Sequence, residues 1–407
     1  MSSSNFCKEE ENSKEEENNK EEYDSSFEIN TWDDLDLKTD LLRGIYSYGF
    51  EKPSPIQCKA IKPIIMKKDI IAQAQSGTGK TAAFTIGALS VLDLECHQTQ
   101  VLILSPTREL SVQTANVVTS IGSMMNGLHI QTLFGGTFTE DEYDSKLNKI
   151  CPHIIAGCPG RVQDMIKRGK INANTIKLVI LDEADELLSS GFKEQVYNIF
   201  QSFSSEIQVA LFTATLPNYL DSIVEKIMRD PIKIFVKAER LTLEGISQYF
   251  VAVEDDKQKY ATLKDLYSFI SMSQCIIYCN SVKRVSDLYE AMHGDGFPVC
   301  CIHSNMDKQT RSNSFNEFKL GKYRVLISSN VTSRGIDIQQ VSTVINFDIP
   351  KCVHNYIHRI GRSGRWGRKG VGINFITRRD VGKLKEIEGH YSCQINELPS
   401  NLNNLCK

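Results

Sequence analysis

Short apolar runs alternate with longer amphipathic stretches from Trp32 onward. In the first half, most of the short runs are apolar at nearly every position, which is typical of strands buried on both faces of a parallel sheet. Helical periodicity fills the stretches between them, for example at 109–124 and 194–203. The predicted strands of the first half are 69–72, 101–104, 130–134, 153–156, 178–181, 208–212 and 232–236.

The second half repeats this rhythm of strand and helix. Its predicted strands are 248–253, 275–278, 299–302, 324–327, 343–346 and 372–376. Such alternation predicts two successive α/β sheets, and the polar stretch 237–240 between the halves has the composition of a linker. The pattern divides the chain into a tail at 1–28, a first domain at 29–236, a linker at 237–245 and a second domain at 246–407.

The N-terminal tail is set apart by its charge. Residues 1–28 carry ten acidic side chains against three lysines, a net charge of −7, whereas the whole chain of 407 residues has −3. The other residues therefore carry +4, which is compatible with a polyanionic partner. An acidic, Asn- and Ser-rich stretch cannot bury enough apolar surface to fold, so we expect the tail to be disordered.

Composition also disfavours membrane and metal-cluster classes. No run approaches about 18 apolar residues, so no transmembrane helix is expected, and the tail lacks the apolar segment of a secretory signal. The 12 cysteines include no Cys-x-x-Cys pair. This pattern favours free thiols in a reducing compartment over a zinc site.

The strongest chemical signal is the glycine-rich sequence from Ala74 to Thr81, directly after predicted strand 69–72. A glycine-rich turn between strand and helix lets backbone N–H groups face a phosphate, and the helix N-terminus adds positive potential. In this P-loop pattern, Lys80 would reach the β- and γ-phosphates of ATP, and the Thr81 hydroxyl would bind Mg²⁺. The alternative is a glycine turn without a ligand, which the flanking strand and helix disfavour.

A second chemical signal follows predicted strand 178–181. The apolar run ends in Asp182-Glu183-Ala184-Asp185, and the carboxyl end of a buried strand is where an open α/β sheet places its ligand chemistry. Asp182 suits a Mg²⁺ shell, and Glu183 could orient or deprotonate an attacking water. Acids after a strand more often open an exposed helix, and it is the upstream P-loop that favours a metal and water site here.

Arginines and glycines crowd the stretch 358–370. It holds five cationic side chains and four glycines, with arginines three apart at Arg359, Arg362, Arg365 and Arg368. A charge run is usually a solvated face, but glycine permits close backbone approach and the arginine fork matches phosphate oxygens. Arginine fingers stabilise the charge on a transferring phosphoryl group. We therefore expect phosphate or nucleic-acid contacts, and hydrolysis that requires the two domains to close.

Together these residues resemble the motifs of the DEAD-box RNA helicases, over nearly the whole chain after about residue 30. Residues 76–81 are similar to motif I, residues 182–185 to motif II, and Thr213-Ala214-Thr215 to motif III. Residues 49–57 resemble the Q motif, and Trp32 occupies the family's isolated upstream aromatic position, where Phe is usual. By this resemblance Gln57 would hydrogen-bond the adenine and Phe50 would stack near it.

The resemblance assigns roles to residues in four groups. Nucleotide contacts would come from Phe50, Gln57, Ser76, Gly77, Thr78, Gly79, Lys80, Thr81 and the ribose-binding Asp337. Catalysis would fall to Lys80, Asp182, Glu183 and the arginine fingers Arg362 and Arg365, with Thr81 and Asp182 around Mg²⁺. RNA contacts would come from Pro106, Thr107, Arg108, Gly135, Gly136, Pro159, Gly160, Arg161, Gln309 and Arg311. The residues coupling ATP state to RNA binding would be Asp185, Thr213, Thr215 and His358.

Besides Trp32, the chain departs from the family pattern at Cys158, at Thr213 and in the motif V stretch 329–333. Cys158 stands where Thr precedes Pro-Gly-Arg, which removes one hydrogen bond to an RNA phosphate. Thr213 replaces the usual Ser of motif III and keeps its hydroxyl. Asn330 replaces the usual Asp of motif V. These changes bear on RNA affinity more than on ATP chemistry.

Within the family, the chain is most similar to the group of eukaryotic translation initiation factor 4A and its nuclear paralogue. The resemblance implies two tandem RecA-like α/β domains, each a mostly parallel sheet flanked by helices, with ATP and Mg²⁺ in the cleft. It also implies a cytoplasmic, monomeric RNA helicase that contacts the RNA backbone without sequence preference and binds a scaffold protein, with no membrane partner. One open alternative is an ATP-gated RNA clamp of the nuclear-paralogue type, which would act in mRNA processing or ribosome biogenesis with a scaffold of the exon-junction type. The other is a DNA-directed translocase, which the Q motif and the Asp-Glu-Ala-Asp sequence disfavour.

Overall fold

Two seven-stranded sheets form the framework of the protein. The computed structural model describes residues 25–75, 77–135, 151–189, 191–217, 220–236, 245–271, 273–332, 341–363 and 370–399. Within these residues every strand pairing is parallel, as the apolar runs predict. No helix in the described ranges is long and apolar enough to cross a bilayer.

The first sheet has the strand order β3-β4-β2-β5-β6-β1-β7. Its strands are β1 Ile70–Gln73, β2 Val101–Leu104, β3 Ile130–Leu133, β4 Ile154–Gly157, β5 Leu178–Asp182, β6 Gln208–Thr213 and β7 Ile232–Phe235. Successive side chains of β5 pack on opposite faces of the sheet. Leu178 and Ile180 belong to one apolar cluster, and Val179 and Leu181 belong to the cluster on the other face. Burial of both faces explains why the central strands β2 and β4 are apolar at every position, whereas the outer strands β3 and β7 are partly exposed and carry polar residues.

Helices cover the two faces of the first sheet. They are α1 Thr39–Ser47, α2 Pro55–Ile65, α3 Lys80–Ser90, α4 Arg108–Ile121, α5 Pro159–Lys167, α6 Ala184–Leu187, α7 Lys193–Phe200 and α8 Asp221–Ile227. Short 3₁₀ turns occur at Ser25–Phe27, Trp32–Asp34, Gly122–Met124 and Ala173–Thr175. The first of these turns lies inside the stretch 1–28 predicted as a tail, and Lys62 Nζ on α2 donates to Ser26 O at 2.7 Å.

The second sheet has the order β10-β11-β9-β12-β13-β8-β14. Its strands are β8 Ile246–Ala252, β9 Gln274–Tyr278, β10 Val299–Ile302, β11 Val325–Ser328, β12 Val341–Asn346, β13 Gly370–Ile376 and β14 Asn396–Glu397. Its helices are α9 Asp256–Ile270, α10 Val282–Gly294, α11 Lys308–Lys319, α12 Val353–Ile360 and α13 Val381–Tyr391, with a 3₁₀ turn at Asn330–Thr332.

The predicted fold of two tandem RecA-like domains is confirmed, with small differences at strand ends. Strand β8 begins at Ile246, two residues before its predicted start, because Ile246 pairs with Gly370 at the beginning of β13. Strand β14 was not predicted, since it has only two residues and both are exposed. In each sheet, the loops after the carboxyl ends of the central strands lie at one edge, and a ligand site of an open α/β sheet forms there.

Candidate active site and RNA interface

The phosphate loop connects β1 to α3 as the sequence predicts. Gly77 and Gly79 have φ angles of 86° and 101°, which side chains with a Cβ rarely adopt. Lys80 opens α3 and is buried, and its Nζ donates to Ala74 O at 2.7 Å, across the base of the loop. Thr78 Oγ1 donates to Gln75 O at 2.8 Å. The lysine ammonium is thus held inside the loop, where it faces any bound phosphate; Thr81 follows on α3, and Ser76 lies outside the described residues.

The Q-motif glutamine contacts this loop directly. Gln57 on α2 is buried; its Oε1 accepts from Ser54 N at 2.8 Å, and its Nε2 donates to Gly79 O at 3.4 Å. A Cβ on Gly79 would stand 2.7 Å from Gln57 Nε2, so this position must be glycine. The carboxamide is therefore fixed beside the phosphate loop rather than free to rotate.

The upstream aromatic residue is tied to the same region. Trp32 is 1% exposed, and its indole Nε1 donates to Phe50 O at 3.0 Å. The Phe50 ring in turn lies 4.9 Å from the Tyr48 ring, centroid to centroid. A phenylalanine at position 32 could fill the space but could not make this hydrogen bond, because it has no polar atom.

Three carboxylates lie buried after β5. Asp182, Glu183 and Asp185 are each 3% exposed. Burial and the neighbouring Glu183 charge raise the pKa of Asp182 to about 7, against the opposing effect of Lys80. Glu183 has the left-handed backbone conformation φ 53°, ψ 53°, which is rare for a residue with a side chain. Such strain at a strand end is typical of functional positions.

Asp185 joins the two domains. Its Oδ2 accepts from Thr215 Oγ1 at 2.7 Å and lies 3.2 Å from His358 Nε2, a residue of α12 in the second domain. Thr213 Oγ1 donates to Thr215 O at 2.7 Å, which fixes the loop after β6. The four residues predicted to couple ATP to RNA therefore form one buried contact network. Ligand atoms of Glu183, Asp185 and His358 lie within 4.8 Å of one another, which brings Glu183, the candidate catalytic carboxylate, to the same junction.

The arginines of the second domain divide into different environments. Arg362 is 2% exposed, and its Nε donates to His358 O at 3.1 Å, one helical turn back. Arg359, which the charge pattern grouped with the phosphate-contacting arginines, is 0% exposed and is bound to side chains of its own domain. The sequence interpretation of Arg359 was therefore wrong, since spacing along a helix does not tell which face is buried. Arg365 and the ribose-binding candidate Asp337 lie outside the described residues.

The predicted RNA residues of the first domain lie at the ends of neighbouring strands. Thr107, after β2, caps α4 by accepting from Leu110 N at 3.3 Å, and the Arg108 guanidinium lies 4.7 Å from the centroid of the Phe134 ring. Gly135 follows β3, and Gly136 lies outside the described residues. The loop after β4 leads into Pro159 and Gly160, at the start of α5. Arg161 NH1 on that helix donates to Asp164 Oδ2 at 2.9 Å.

Cys158 replaces a hydroxyl by a half-buried thiol on this surface. Its Sγ lies 3.6 Å from Ser111 Oγ, and burial raises the pKa of the thiol to about 11. Cys158 precedes α5 without a side-chain cap hydrogen bond. It is therefore a neutral, weakly polar group at neutral pH and offers little to an RNA phosphate.

A second contact between the domains was not predicted from the sequence. Arg311 on α11 donates from NH2 to Glu109 Oε2 at 2.6 Å, and the two side chains are 16% and 12% exposed. Gln309, two residues earlier, is exposed and donates to Asn313 Oδ1 at 3.1 Å. Glu109 lies in the predicted RNA motif from Pro106 to Leu110, so the sequence indicated this segment. The partner of Glu109 is 202 positions away in the chain, and the sequence did not indicate the pair. Arg311, expected to contact RNA, thus also holds the first domain.

Comparison with known proteins identifies the family. Residues 54–223 match the DEAD/DEAH box helicase family, and residues 258–367 match the helicase conserved C-terminal domain. The ATP-dependent RNA helicase FAL1 of Eremothecium gossypii is 50% identical over 92% of this chain and 94% of its own length. The ATP-dependent RNA helicase eIF4A of Schizosaccharomyces pombe is 48% identical over 93% of this chain and 95% of its own.

A solved structure agrees with both the sheets and their arrangement. The S. cerevisiae protein Dbp5 bound to RNA and ADP BeF3 superposes with a TM-score of 0.84 at 32% identity, covering 92% of this chain and 96% of Dbp5. A phosphate loop, a buried Asp-Glu-Ala-Asp sequence and contacts between its two RecA-like domains therefore occur in a chain that matches such proteins almost end to end. The chain belongs to the DEAD-box family of ATP-dependent RNA helicases.

Proposed function

We propose that this protein hydrolyses ATP to remodel or unwind RNA, and that hydrolysis occurs only when its two domains are closed on each other. The observation that carries the proposal is the Asp185 carboxylate, which contacts Thr215 in the first domain and His358 in the second. Asp185 is two residues from Glu183, so the catalytic strand end and the domain junction share one short segment. Opening the domains must disturb this segment.

The first domain supplies the groups that would bind ATP. Gly77 and Gly79 let the phosphate loop approach the triphosphate closely, and Lys80 directs its charge into the loop. Gln57 contacts Gly79, so the side chain that would bind the adenine base is also hydrogen-bonded to the phosphate loop. Adenine recognition and phosphate binding are therefore mechanically connected through a single hydrogen bond.

The residues present fit Mg²⁺. Asp182 is a buried carboxylate beside a second one, and its Oδ2 has no hydrogen-bond partner among the described residues. Hard oxygen ligands of this kind, together with the Thr81 hydroxyl and the phosphates, suit Mg²⁺. When bound, the ion would neutralise charge on the phosphates as the β–γ bond breaks. Burial, and next the Glu183 charge, raise the pKa of Asp182, and a bound cation would offset both effects.

Glu183 and Arg362 would carry out the hydrolytic step from opposite domains. The Glu183 carboxylate would orient the attacking water and take its proton. Because Glu183 is buried, the proton would pass to this carboxylate and not to bulk solvent. Arg362, fixed to the α12 backbone at His358 O, would stabilise charge on the transferring phosphoryl group. Arg365 would supply a second finger. Neither finger can reach ATP unless the second domain docks, so closure controls turnover.

RNA would lie across both domains at the loops after β2, β3 and β4 and at α11. Arg108, Arg161 and Arg311 provide cations there, and the start of α5 presents backbone N–H groups. Contacts to phosphates and 2′-hydroxyls would distinguish RNA from DNA without reading bases. Affinity should then fall steeply with salt, because bound counterions are released.

For the pathway, we propose a role like that of initiation factor 4A in translation initiation, as a monomer recruited by a scaffold protein in the cytoplasm. Similarity to relatives named eIF4A supports this. Similarity to relatives named FAL1, at 49–50% identity against 47–49% for the eIF4A relatives, favours a second candidate, a nuclear helicase or RNA clamp of the nuclear-paralogue type. Affinity capture of the chain would separate them, since an initiation scaffold supports the first and a nuclear RNA-processing complex supports the second.

Strand separation of a short RNA duplex tests the enzymatic proposal. Wild type should unwind the duplex with ATP, and Lys80→Ala should not, because no other described cation occupies the phosphate loop. Glu183→Gln should still bind ATP and RNA together but should release no phosphate. Equal unwinding by Lys80→Ala, checked for native fold by circular dichroism, would contradict the assignment.

A further inference from the structure

Arg359 is a buried guanidinium that ties three strands of the second sheet to α12. Its NH2 donates to Asn280 Oδ1 at 2.8 Å, just beyond β9, and its Nε donates to Asn330 Oδ1 at 2.8 Å, just beyond β11. Its NH1 donates to Asn346 Oδ1 at 3.1 Å, at the end of β12, and to Asp348 O at 2.8 Å. One side chain therefore fixes the helix against the carboxyl ends of three adjacent strands.

Every one of these acceptors is neutral. Three are side-chain amides and the fourth is a backbone carbonyl, and within the described ranges Arg359 forms no ion pair with a carboxylate. The Asp348 carboxylate is committed elsewhere, to Arg284 at 2.7 Å and Lys259 at 3.6 Å. Burial lowers the pKa of Arg359 to about 10, as expected for a cation with little compensation.

The neutral set depends on Asn330, because this position has Asp in the usual family pattern. An Asp there would accept the same hydrogen bond from Arg359 Nε and would add a negative charge in contact with the guanidinium. In this chain the planar fork and its hydrogen bonds must hold the helix without that attraction. The turn that carries Asn330 is itself anchored, since Tyr278 OH donates to Thr332 O at 3.0 Å.

The neighbours of Arg359 on α12 are functional. His358 contacts Asp185 of the first domain, and Arg362 is bound through Nε to His358 O. We propose that Arg359 is a positioning residue for ATP hydrolysis: its planar guanidinium fixes α12 so that His358 and Arg362 meet the first domain. Because Asn330 is neutral, this attachment of α12 depends on the hydrogen-bond geometry of the guanidinium and has no counter-charge there. The first part rests on the proposed function, and the second concerns folding alone.

Arg359→Lys tests the positioning role, because lysine keeps the charge and loses the planar fork. RNA-stimulated turnover should fall about 10- to 100-fold, the scale of a small misplacement of catalytic groups, with KM for ATP changed less than about threefold. In an Arg362→Ala background the same substitution should lower turnover less than it does in wild type, because one of the two groups that it misplaces is already gone. Unchanged turnover, a change confined to KM, or full additivity with Arg362→Ala would each overturn the role.

Should Arg359→Lys fail to fold, Asn330→Leu takes its place, since it removes one acceptor and keeps the side chain branched at Cγ. Asn330→Leu should lower turnover less than Arg359→Lys does. Combined with Arg362→Ala, it must again lower turnover less than the two separate losses predict, or the positioning role is wrong. Wild-type turnover with RNA is measured first, because its absence would remove the proposed function rather than this inference.

Asn330→Asp tests the missing counter-charge without using activity. It should raise the thermal unfolding midpoint of the second domain by about 2–4 °C at pH 7, as a new charge-assisted contact would. Asn316→Asp, the same change on the exposed face of α11, is the control and should leave the midpoint unchanged. An unchanged or lower midpoint for Asn330→Asp would show that Arg359 already has a carboxylate partner, and would overturn this part.

Discussion

The Glu109–Arg311 ion pair should contribute to domain closure rather than to the stability of either domain. Glu109 Oε2 lies 2.6 Å from Arg311 NH2, and both side chains are mostly buried, so solvent screens their electrostatic attraction weakly. A charged hydrogen bond contributes about 1.5–3 kcal/mol and a neutral one about 1 kcal/mol. Glu109→Gln keeps an acceptor and loses the charge, so closure should lose roughly 0.5–2 kcal/mol, or about 2- to 30-fold in its equilibrium constant.

Energy transfer between dyes placed one in each domain would measure closure with RNA and a non-hydrolysable ATP analogue. Glu109→Gln and Arg311→Gln should each reduce the closed fraction, and the double variant should lose little more than the worse single variant. Glu109 also lies in the first turn of α4, where its charge favours the helix by about 0.3–1 kcal/mol. Thermal unfolding of each variant corrects for that effect. Full additivity of the two substitutions would refute the argument that the pair acts as a unit.

Three further predictions concern single residues of the first domain. Trp32→Phe removes the hydrogen bond to Phe50 O and part of the buried indole ring system. Steady-state kinetics should show KM for ATP raised about fivefold with turnover unchanged, as loss of about 1 kcal/mol of binding implies. A fall in turnover alone would contradict this. Burial lowers the pKa of His153 below its usual 6.5, with smaller contributions from His129 and His97. The unfolded chain therefore takes up the proton first, so the stability of the first domain should be full above about pH 6.5 and should fall as pH drops below it. Urea unfolding measures this fall, and His153→Gln should make it smaller. Cys158→Thr should tighten ATP-dependent RNA binding by about 3- to 10-fold in a fluorescence anisotropy titration, because a hydroxyl replaces a poor donor beside Ser111; unchanged affinity would show that RNA does not reach this position.

Local patterns were sufficient for much of the fold and site. The phosphate loop from Ala74 to Lys80 is contiguous, so its residues alone predict a strand, a turn and a buried lysine. Apolar runs likewise predicted the thirteen longer strands, and only the two-residue β14 gave no signal. Strand ends moved by one or two residues because pairing partners, not local composition, decide where a ladder stops.

Contacts between distant residues could not be read in the same way. Glu109 and Arg311 are 202 positions apart, and nothing in either segment identifies the other. The misassignment of Arg359 has a related cause, since its partners Asn280, Asn330 and Asn346 come from three different strand ends. A charge run predicts an electrostatic potential, whereas burial depends on which elements pack against the helix.

The central claim is that RNA and both domains are needed to complete one ATP site. Its most direct test is ATP turnover by the full chain with RNA, with a matched DNA oligomer and with no nucleic acid, beside a fragment of residues 30–240. We predict strong stimulation of the full chain by RNA, little by DNA, and ATP binding without RNA-stimulated turnover in the fragment. Equal stimulation by DNA, or RNA-stimulated hydrolysis by the fragment alone, would contradict the account.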